Sequence, residues 1–365
     1  MTNNISVIGI GKLGLCFSLS LESAGYNVIG VDLNEEYINN INNKTFFSHE
    51  HQVNERLKNS KNFIATNKMD LALQHSDIIF AIVATPSLSN GRYDHKQVDV
   101  LVDTLMEKGY QKNIKHLVIN CTTMPQYCDS VYERLKDLNW TVSYNPEFIA
   151  QGTVIHNQEY PDMVLIGQSN EYIGNILQNI YQKMTKNNPK IHRMSRTEAE
   201  LCKISLNCFL TTKIAYTNMI GDIATKTNCN AQTILNAIGD DTRVGNKLTT
   251  YGYGFGGPCF PRDNRALAIF ADDIGIDAKI SKATDEMNKL HLQYQVENFL
   301  KLKESNFITN SITYKPQSTL IEESQQLEFA VKLAKNGIHV LIKERKNVID
   351  EVKSIYGDLF RYEEV

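Results

Sequence analysis

A β-branched run, Ile5-Ser-Val-Ile, leads straight into Gly9-Ile-Gly-Lys-Leu-Gly14. An amphipathic stretch follows to residue 24, then Gly25 and a second apolar run, Val28-Ile-Gly-Val, ending at Asp32. This order of strand, glycines, helix and strand leaves few folds open. A parallel neighbour can be reached only through a crossover, and three glycines at this spacing permit a tight turn, close ligand approach and close helix-on-strand packing. Free amides at the helix start favour a phosphate. A carboxylate at Asp32 suits ribose hydroxyls and repels a 2′-phosphate. Gly9, Ile10, Gly11, Lys12, Leu13, Gly14 and Asp32 therefore read as contacts for NAD rather than NADP. An ordinary glycine turn beside an ordinary strand-end aspartate is the weaker alternative.

The same alternation continues through apolar runs at 78–83, 117–120, 141–144 and 163–166. It predicts an α/β domain over 1–195 with a Rossmann-type, doubly wound parallel sheet. From 196 to 303 the pattern turns helical, with helices expected at 197–227, 231–238, 264–273 and 281–303. Residues 304–365 return to α/β character. Strands are expected at 310–314 and 338–342 around a helix at 324–336, then a helix at 348–355 and a final strand. A chain of 365 residues has room for such a three-part plan.

Composition narrows the function classes. The net charge of −3 argues against nucleic acid as the main partner. No run approaches the roughly 18 apolar residues of a membrane span. The seven cysteines form neither a CxxC pair nor a zinc-like spacing, so a metal site is not expected. Scattered reduced thiols without a signal peptide point to the cytoplasm.

A second glycine cluster, Gly252-Tyr-Gly-Phe-Gly-Gly-Pro-Cys259-Phe-Pro-Arg262-Asp263, fits neither strand, helix nor flexible linker. Glycines without Cβ atoms let a backbone fold tightly around a ligand, and two prolines stiffen the segment. It reads as a cradle presenting one thiol. Cys16, Cys202 and Cys208 sit in apolar helical context and read as small buried hydrophobes. In an NAD enzyme an exposed thiol has a specific use. It adds to an aldehyde, and the thiohemiacetal loses a hydride to become a thioester that water cleaves. That chemistry also needs an oxyanion partner and a base. Lys203 and Asn207, at i and i+4, share one helix face. Glu147, Thr123 and Thr85 follow strands, at the edge where α/β sites gather.

Taken in order, these segments resemble the UDP-glucose/GDP-mannose dehydrogenase family. They comprise GxGxxG, Ala84-Thr-Pro, Thr122-Thr-Met-Pro125, Asn145-Pro-Glu-Phe-Ile149, the Lys203/Asn207 helix, Asp240-Asp-Thr-Arg-Val-Gly245, the cysteine loop and Tyr314-Lys315-Pro316. The resemblance implies four-electron oxidation of a nucleotide sugar's C6 alcohol to the acid, most plainly UDP-glucose to UDP-glucuronate, with NAD as cofactor. It implies Cys259 as nucleophile, Lys203 and Asn207 as oxyanion partners, Asp263 near the reacting hydroxyl, Glu147 as hydrolytic base and Thr123 as a positioner of water and nicotinamide. Thr85, Gln151 and Arg262 match cofactor contacts. Glu147, Phe148, Ile149, Lys203, Asn207, Leu248, Thr249, Thr250, Tyr251, Gly252, Gly256 and Lys315 match substrate contacts. Arg243 matches an arginine that reaches a neighbouring subunit, which implies a homodimer through the middle domain, 196–303, with 304–365 binding the nucleotide sugar.

Three features depart from the family pattern. Gln151 replaces a glutamate, Glu322 stands where the family has an arginine, and the third domain is shorter than usual. They support, as an alternative, a degenerate nucleotide-sugar-binding protein. A two-electron β-hydroxyacid dehydrogenase is a further alternative, but it has no use for Cys259.

Overall fold

The short apolar runs of the first part of the chain become six strands of an eight-stranded sheet. The computed structural model describes residues 3–149, 152–315 and 318–365. The predicted cofactor contact Gln151 lies outside the described residues. Two compact units are present, Met1–Lys203 and Ile204–Val365.

The first unit runs β1 (Asn4–Ile8), α1 (Lys12–Ser23), β2 (Asn27–Val31), α2 (Glu35–Asn42), α3 (Val53–Asn59), β3 (Phe63–Thr66), α4 (Met69–His75) and β4 (Ile78–Ala81). It continues with α5 (Lys96–Glu107), β5 (Lys115–Ile119), α6 (Tyr127–Leu135), β6 (Trp140–Tyr144), α7 (Val154–Glu159), β7 (Met163–Gly167), α8 (Glu171–Met184) and β8 (Lys190–Met194). The strand order is β3-β2-β1-β4-β5-β6-β7-β8. Successive side chains alternate between the two faces. Val7, Ile78, Phe80, Val118, Val164 and Ile166 pack with α1, α7 and α8, while Ile8, Ile79, Leu117, Ile119, Val142 and Leu165 pack with α5 and α6. Both faces are covered, which accounts for the nearly unbroken apolar strands.

The sheet differs from the expected all-parallel one at its far end. β6 meets β7 antiparallel at Tyr144↔Gly167, and β8 runs parallel to β7. Among the described residues the link from β6 to β7 holds one helix, the six-residue α7, which packs on α1, and the chain re-enters the sheet from the edge it left. A parallel β7 would have required a crossover. β3 and β8 carry weak sequence signals. Ile64 in the middle of β3 is exposed, and β8 is a polar edge strand.

The boundary between the units falls within α9 (Arg196–Lys226). The second unit continues with α10 (Ala231–Asp240), α11 (Phe260–Asp273), α12 (Lys279–Lys301), β9 (Asn306–Thr309), α13 (Gln325–Lys335), β10 (His339–Glu344), α14 (Lys346–Tyr356) and β11 (Arg361–Glu364). The last three strands form a parallel sheet, β11-β10-β9. Leu292 and Val296 of α12 share a core with Ile321, Leu327 and Phe329, so the long helix and the small sheet bury one another. Phe299, Phe307 and Phe329 meet edge to face in the same cluster.

Two boundaries move from their expected places. The strand expected at 310–314 lies at Asn306–Thr309, where Phe307 and Ile308 register with Val340 and Leu341. Beyond it Thr309 Oγ1 donates to the Ser311 carbonyl and the chain turns. α11 begins at Phe260 rather than 264, because a proline is tolerated in a helix's first turn. That shift turns Cys259 from a loop residue into a helix N-cap. Among the described residues no helix is long and apolar enough to cross a membrane.

The turn between β1 and α1 brings backbone against backbone with no room for a side chain. A Cβ on Gly14 would stand 2.0 Å from the Gly9 carbonyl oxygen. Gly14→Ala is expected to cost about 2–3 kcal/mol, since backbone must shift to admit the methyl. Urea unfolding of the purified variant measures it, and an unchanged midpoint would contradict this packing.

Candidate active site

Apart from Lys203, which stands in α9, the described first-unit site residues follow the carboxyl ends of strands. Gly9–Gly14 follow β1, Asp32 follows β2, Thr85 lies beyond β4, Thr123 beyond β5, and Glu147, Phe148 and Ile149 beyond β6. In an open α/β sheet this edge, at the reversal of strand order between β1 and β4, is where a ligand crevice forms.

The glycine turn fits a dinucleotide phosphate. Gly9 takes φ +87°, and a Cβ there would meet the Ile82 carbonyl at 2.6 Å. Gly11 is the opposite case: no atom lies within 4 Å of where its Cβ would stand. It is also the N-cap of α1 and has no side chain to take up the first-turn amides. Backbone amides beside open space suit an anion. The Tyr37 hydroxyl donates to the Ile10 carbonyl at 2.7 Å, tying the turn to α2. Asp32 Oδ1 accepts from the amides of Leu33 and Asn34, at 2.8 and 3.1 Å, which fixes the carboxylate at the strand end. Lys12 Nζ pairs with Glu50 at 3.1 Å. Glu50 is buried, and both its oxygens accept from the Gly152 amide. It thereby links the glycine turn to the start of α7.

Glu147 and Lys203 come together. Lys203 Nζ donates to the Glu147 backbone carbonyl at 2.7 Å and stands 4.4 Å over the Phe148 ring. The Glu147 carboxylate accepts from Gln158 Nε2 at 3.2 Å, and Gln158 Oε1 accepts from Ser20 of α1 at 3.0 Å. Burial raises the Glu147 carboxyl from its ordinary range to about 7, against the opposing influence of Gln158 and of the Lys203 charge. Such a group can take up or release a proton near neutrality. Asn145 supports this loop: its Nδ2 donates to the Leu165 carbonyl, and its Oδ1 accepts from the buried Tyr181 hydroxyl at 2.6 Å.

Thr123 is fully buried, and its hydroxyl donates to Glu200 Oε1 at 2.9 Å. The same carboxylate accepts from the amides of Gln126 and Cys128, capping the start of α6. Thr85 is buried as well and donates to the Thr122 carbonyl at 2.8 Å. Asn145, Gln158, Tyr181, Glu50 and Glu200 were not singled out in the sequence. Only Asn145, inside Asn-Pro-Glu, carried any local signal.

In the second unit Cys259 is an exposed thiol at the N-cap of α11, where the helix's positive end favours negative charge. Asp263 lies in the first turn, almost wholly buried, and accepts from Asn207 Nδ2 at 2.6 Å. Arg262 Nε approaches the other oxygen at 3.5 Å. Cys208 donates to the Asp263 carbonyl, and burial pushes its thiol up to about 12, as it does that of Cys16. Those two thiols are packing groups.

The glycine cradle is held from several sides. Asn288 brackets Phe255, accepting from its amide at 2.9 Å and donating to its carbonyl at 2.8 Å. A Cβ on Gly254 would strike Asn288, and one on Gly257 would strike the Tyr314 ring. The Gly252 carbonyl faces His291 Nε2 at 2.6 Å and Gln295 Nε2 at 3.0 Å. Tyr251 donates to Asp222, and Thr249 to the Asn246 carbonyl. Leu248 takes φ +65°, and its carbonyl accepts from Thr217. Thr250 joins this stretch to the cradle. Lys315 Nζ lies 5.6 Å from the Tyr314 ring. Arg243 is 88% exposed and pairs with Asp241, two residues before it. Among the described residues no group of His, Cys, Asp and Glu is arranged to hold a metal. A groove of about 900 Å³ at the amino-terminal edge of the large sheet, lined by Tyr26, Ile78, His116 and Lys183 among others, holds none of these motif residues.

Two sequence profiles match in chain order: the UDP-glucose/GDP-mannose dehydrogenase family NAD binding domain over residues 3–185, and that family's central domain over 197–290. The chain belongs to the UDP-glucose/GDP-mannose dehydrogenase family. It is 30% identical over 347 residues to a UDP-glucose 6-dehydrogenase of Rickettsia felis, spanning 92% of this chain and 77% of that one. Identity to UDP-glucose 6-dehydrogenase TuaD of Bacillus subtilis is 26% over 377 residues, covering 98% and 80%. A UDP-glucose dehydrogenase of the archaeon Pyrobaculum islandicum shares the fold, with a TM-score of 0.90 at 24% identity over 100% of this chain and 87% of that one. NAD is the cofactor of this family member, and the glycine turn is built to take it.

The raised Glu147 carboxyl has a consequence for stability. The folded state holds this proton more tightly than the unfolded chain, so the stability it contributes is full below the ordinary value of 4.5 and is lost as pH rises through about 7. Glu147→Gln, which cannot ionise, is expected to be more stable than the parent at pH 8 by about 1–3 kcal/mol and close to it at pH 4.5. Urea unfolding at both pH values checks the sign, and a stability gain confined to low pH would contradict it.

Proposed function

We propose that this family member oxidises a nucleotide sugar at C6 from alcohol to carboxylate, with UDP-glucose as substrate and UDP-glucuronate as product. The observation that carries the reading is an exposed thiol at the N-terminus of α11, one turn before a buried aspartate bonded to Asn207. A two-electron alcohol dehydrogenase needs no such thiol. NAD supplies the hydride acceptor when bound, with Gly9–Gly14, Asp32, Thr85 and Arg262 as its contacts.

The residues divide the work by chemistry. Asp263, steadied by the Asn207 amide, holds a water beside the reacting hydroxyl and takes the hydroxyl proton through that water during the first oxidation. The Cys259 thiolate then adds to the aldehyde carbon, forming a C–S bond and placing the electron pair on oxygen. Lys203, an ammonium with three donors, stabilises that oxyanion together with Asn207. Loss of the second hydride leaves a thioester. Glu147, ionised above about pH 7, takes a proton from water as the water attacks the thioester carbon, and the sulfur leaves as thiolate. One alcohol, two NAD and one water are consumed, giving a carboxylate, two NADH and three protons. Leu248–Gly252 with Gly256, Phe148 and Ile149 cradle the sugar, and Lys315 meets the diphosphate.

A homodimer through the middle helices is part of the proposal. Phe209, Tyr216 and Ile223 recur at seven-residue spacing along α9 and are 68%, 51% and 53% exposed. An exposed apolar stripe of this kind marks an interface, and the extended Arg243 would reach the partner's substrate. The cytoplasm is the proposed location.

UDP-glucose and NAD given to the purified protein are expected to yield about two NADH per sugar and a uronic acid. One NADH per sugar would overturn the thioester route, and no oxidation of any nucleotide sugar would overturn the activity. Cys259→Ser is expected to retain NAD binding and to lose acid release, by at least about 10³-fold. Separately, Phe209→Asp with Tyr216→Asp is expected to convert a dimer to a monomer in sedimentation velocity. A parent that sediments as a monomer removes the interface.

A further inference from the structure

Within the second unit, several contacts converge on the short turn 322–324, where Glu322 departs from the family pattern. The Gly257 amide donates to the Glu322 carbonyl at 3.1 Å. The Glu323 carbonyl oxygen fills the space a side chain on Gly256 would need, 2.3 Å from an ideal Cβ. The Glu323 carboxylate accepts from both terminal nitrogens of Arg265, at 3.0 and 2.5 Å. Arg265 stands in α11, the helix that Cys259 caps. Ser324 caps α13 by accepting from the Leu327 amide at 3.3 Å, which anchors the turn from its other side.

Glu323 makes these contacts from φ +46°, a left-handed conformation that a side chain disfavours. Such a conformation persists where its surroundings over-determine it, often beside a functional site. The ion pair itself is partly exposed, its side chains 35% and 37% accessible, so it is a weak source of global stability. Its geometry does more. A guanidinium gripped at two points fixes rotation as well as distance, and the grip joins α11 to the turn that also blocks Gly256 and bonds Gly257. Helix and loop are thus fastened on both sides of Cys259.

We infer that Arg265 and Glu323 are positioning residues that set the direction in which the Cys259 thiol is presented. The inference rests on the proposed role of Cys259 as nucleophile. Misplacement of a reacting atom by about 1 Å can cost up to about 10²-fold in rate, so loosening this clamp acts on chemistry with little effect on folding or cofactor affinity.

The test uses the full chain with Cys229→Ser, since Cys229 is the other exposed thiol. Alkylation of Cys259 by iodoacetamide is followed by mass spectrometry for Glu323→Gln, Arg265→Met and the double variant, alongside Tm, kcat and KM for NAD. Each single variant is expected to shift the alkylation rate and lower kcat by at least about fivefold, with Tm within about 3 °C and KM for NAD within about twofold. The double variant is expected to lose no more than the worse single one, because the two residues act as a unit. Alkylation and kcat within about twofold of the parent would overturn the inference, and so would additive losses. Should a neutralising variant fail to fold, Arg265→Lys, which keeps the charge and loses the two-point grip, decides by the same criteria. Alkylation reads the loop whether or not nucleotide sugars are oxidised, so failure of the proposed activity stays distinguishable from failure of the clamp.

Discussion

Backbone-to-backbone contact at the first turn underlies the first unit. α1 can lie against β1 only because Gly14 has no side chain to strike the Gly9 carbonyl. That approach seats Leu15, Phe17, Leu19 and Leu21 in the core on one sheet face, and it aims the uncapped start of α1 at the carboxyl edge. The strand order reverses beside β1, so the loops after β4, β5 and β6 open along the same edge. The strand-end site residues of the first unit follow from that placement, and Lys203 joins them from α9.

Burial is then used in two opposite ways. Glu147 is enclosed with modest compensation from Gln158 and Lys203, so its proton affinity rises into the neutral range. Glu50 and Glu200 are buried too, but each carboxylate accepts from two or more donors and acts as a brace. One residue type thus provides a proton-exchanging group and two structural anchors, although burial raises the Glu200 carboxyl as well. The thiols divide in the same manner. Cys16 and Cys208 are buried, which raises their thiols, and Cys259 is exposed at a helix start.

Much of this was legible in the residues themselves. Short apolar, β-branched runs located six of the strands in the large sheet, and the two glycine clusters marked where backbone must come close to something else. Short or polar elements were not legible. β3 and β8 owe their strand character to partners, and β9 lies earlier than its local pattern suggested because Phe307 and Ile308 register with β10. The reversal at β7 was also hidden, since parallel and antiparallel strands in a covered sheet share the same apolar composition.

Residue identity therefore determined the chemistry on offer: a phosphate-binding turn, one thiol in a glycine cradle, a lysine and an asparagine one helical turn apart, and a carboxylate after a strand. These depend on local geometry and side-chain type, which sequence records directly. Tertiary structure alone decided how each group is held. Gln158 reaches Glu147 from α7 and Ser20 steadies it from α1, while Glu323 seizes Arg265 from 58 positions further along the sequence. Proton affinity and thiol direction arise from such long-range contacts, because desolvation and two-point gripping exist only once distant segments have packed.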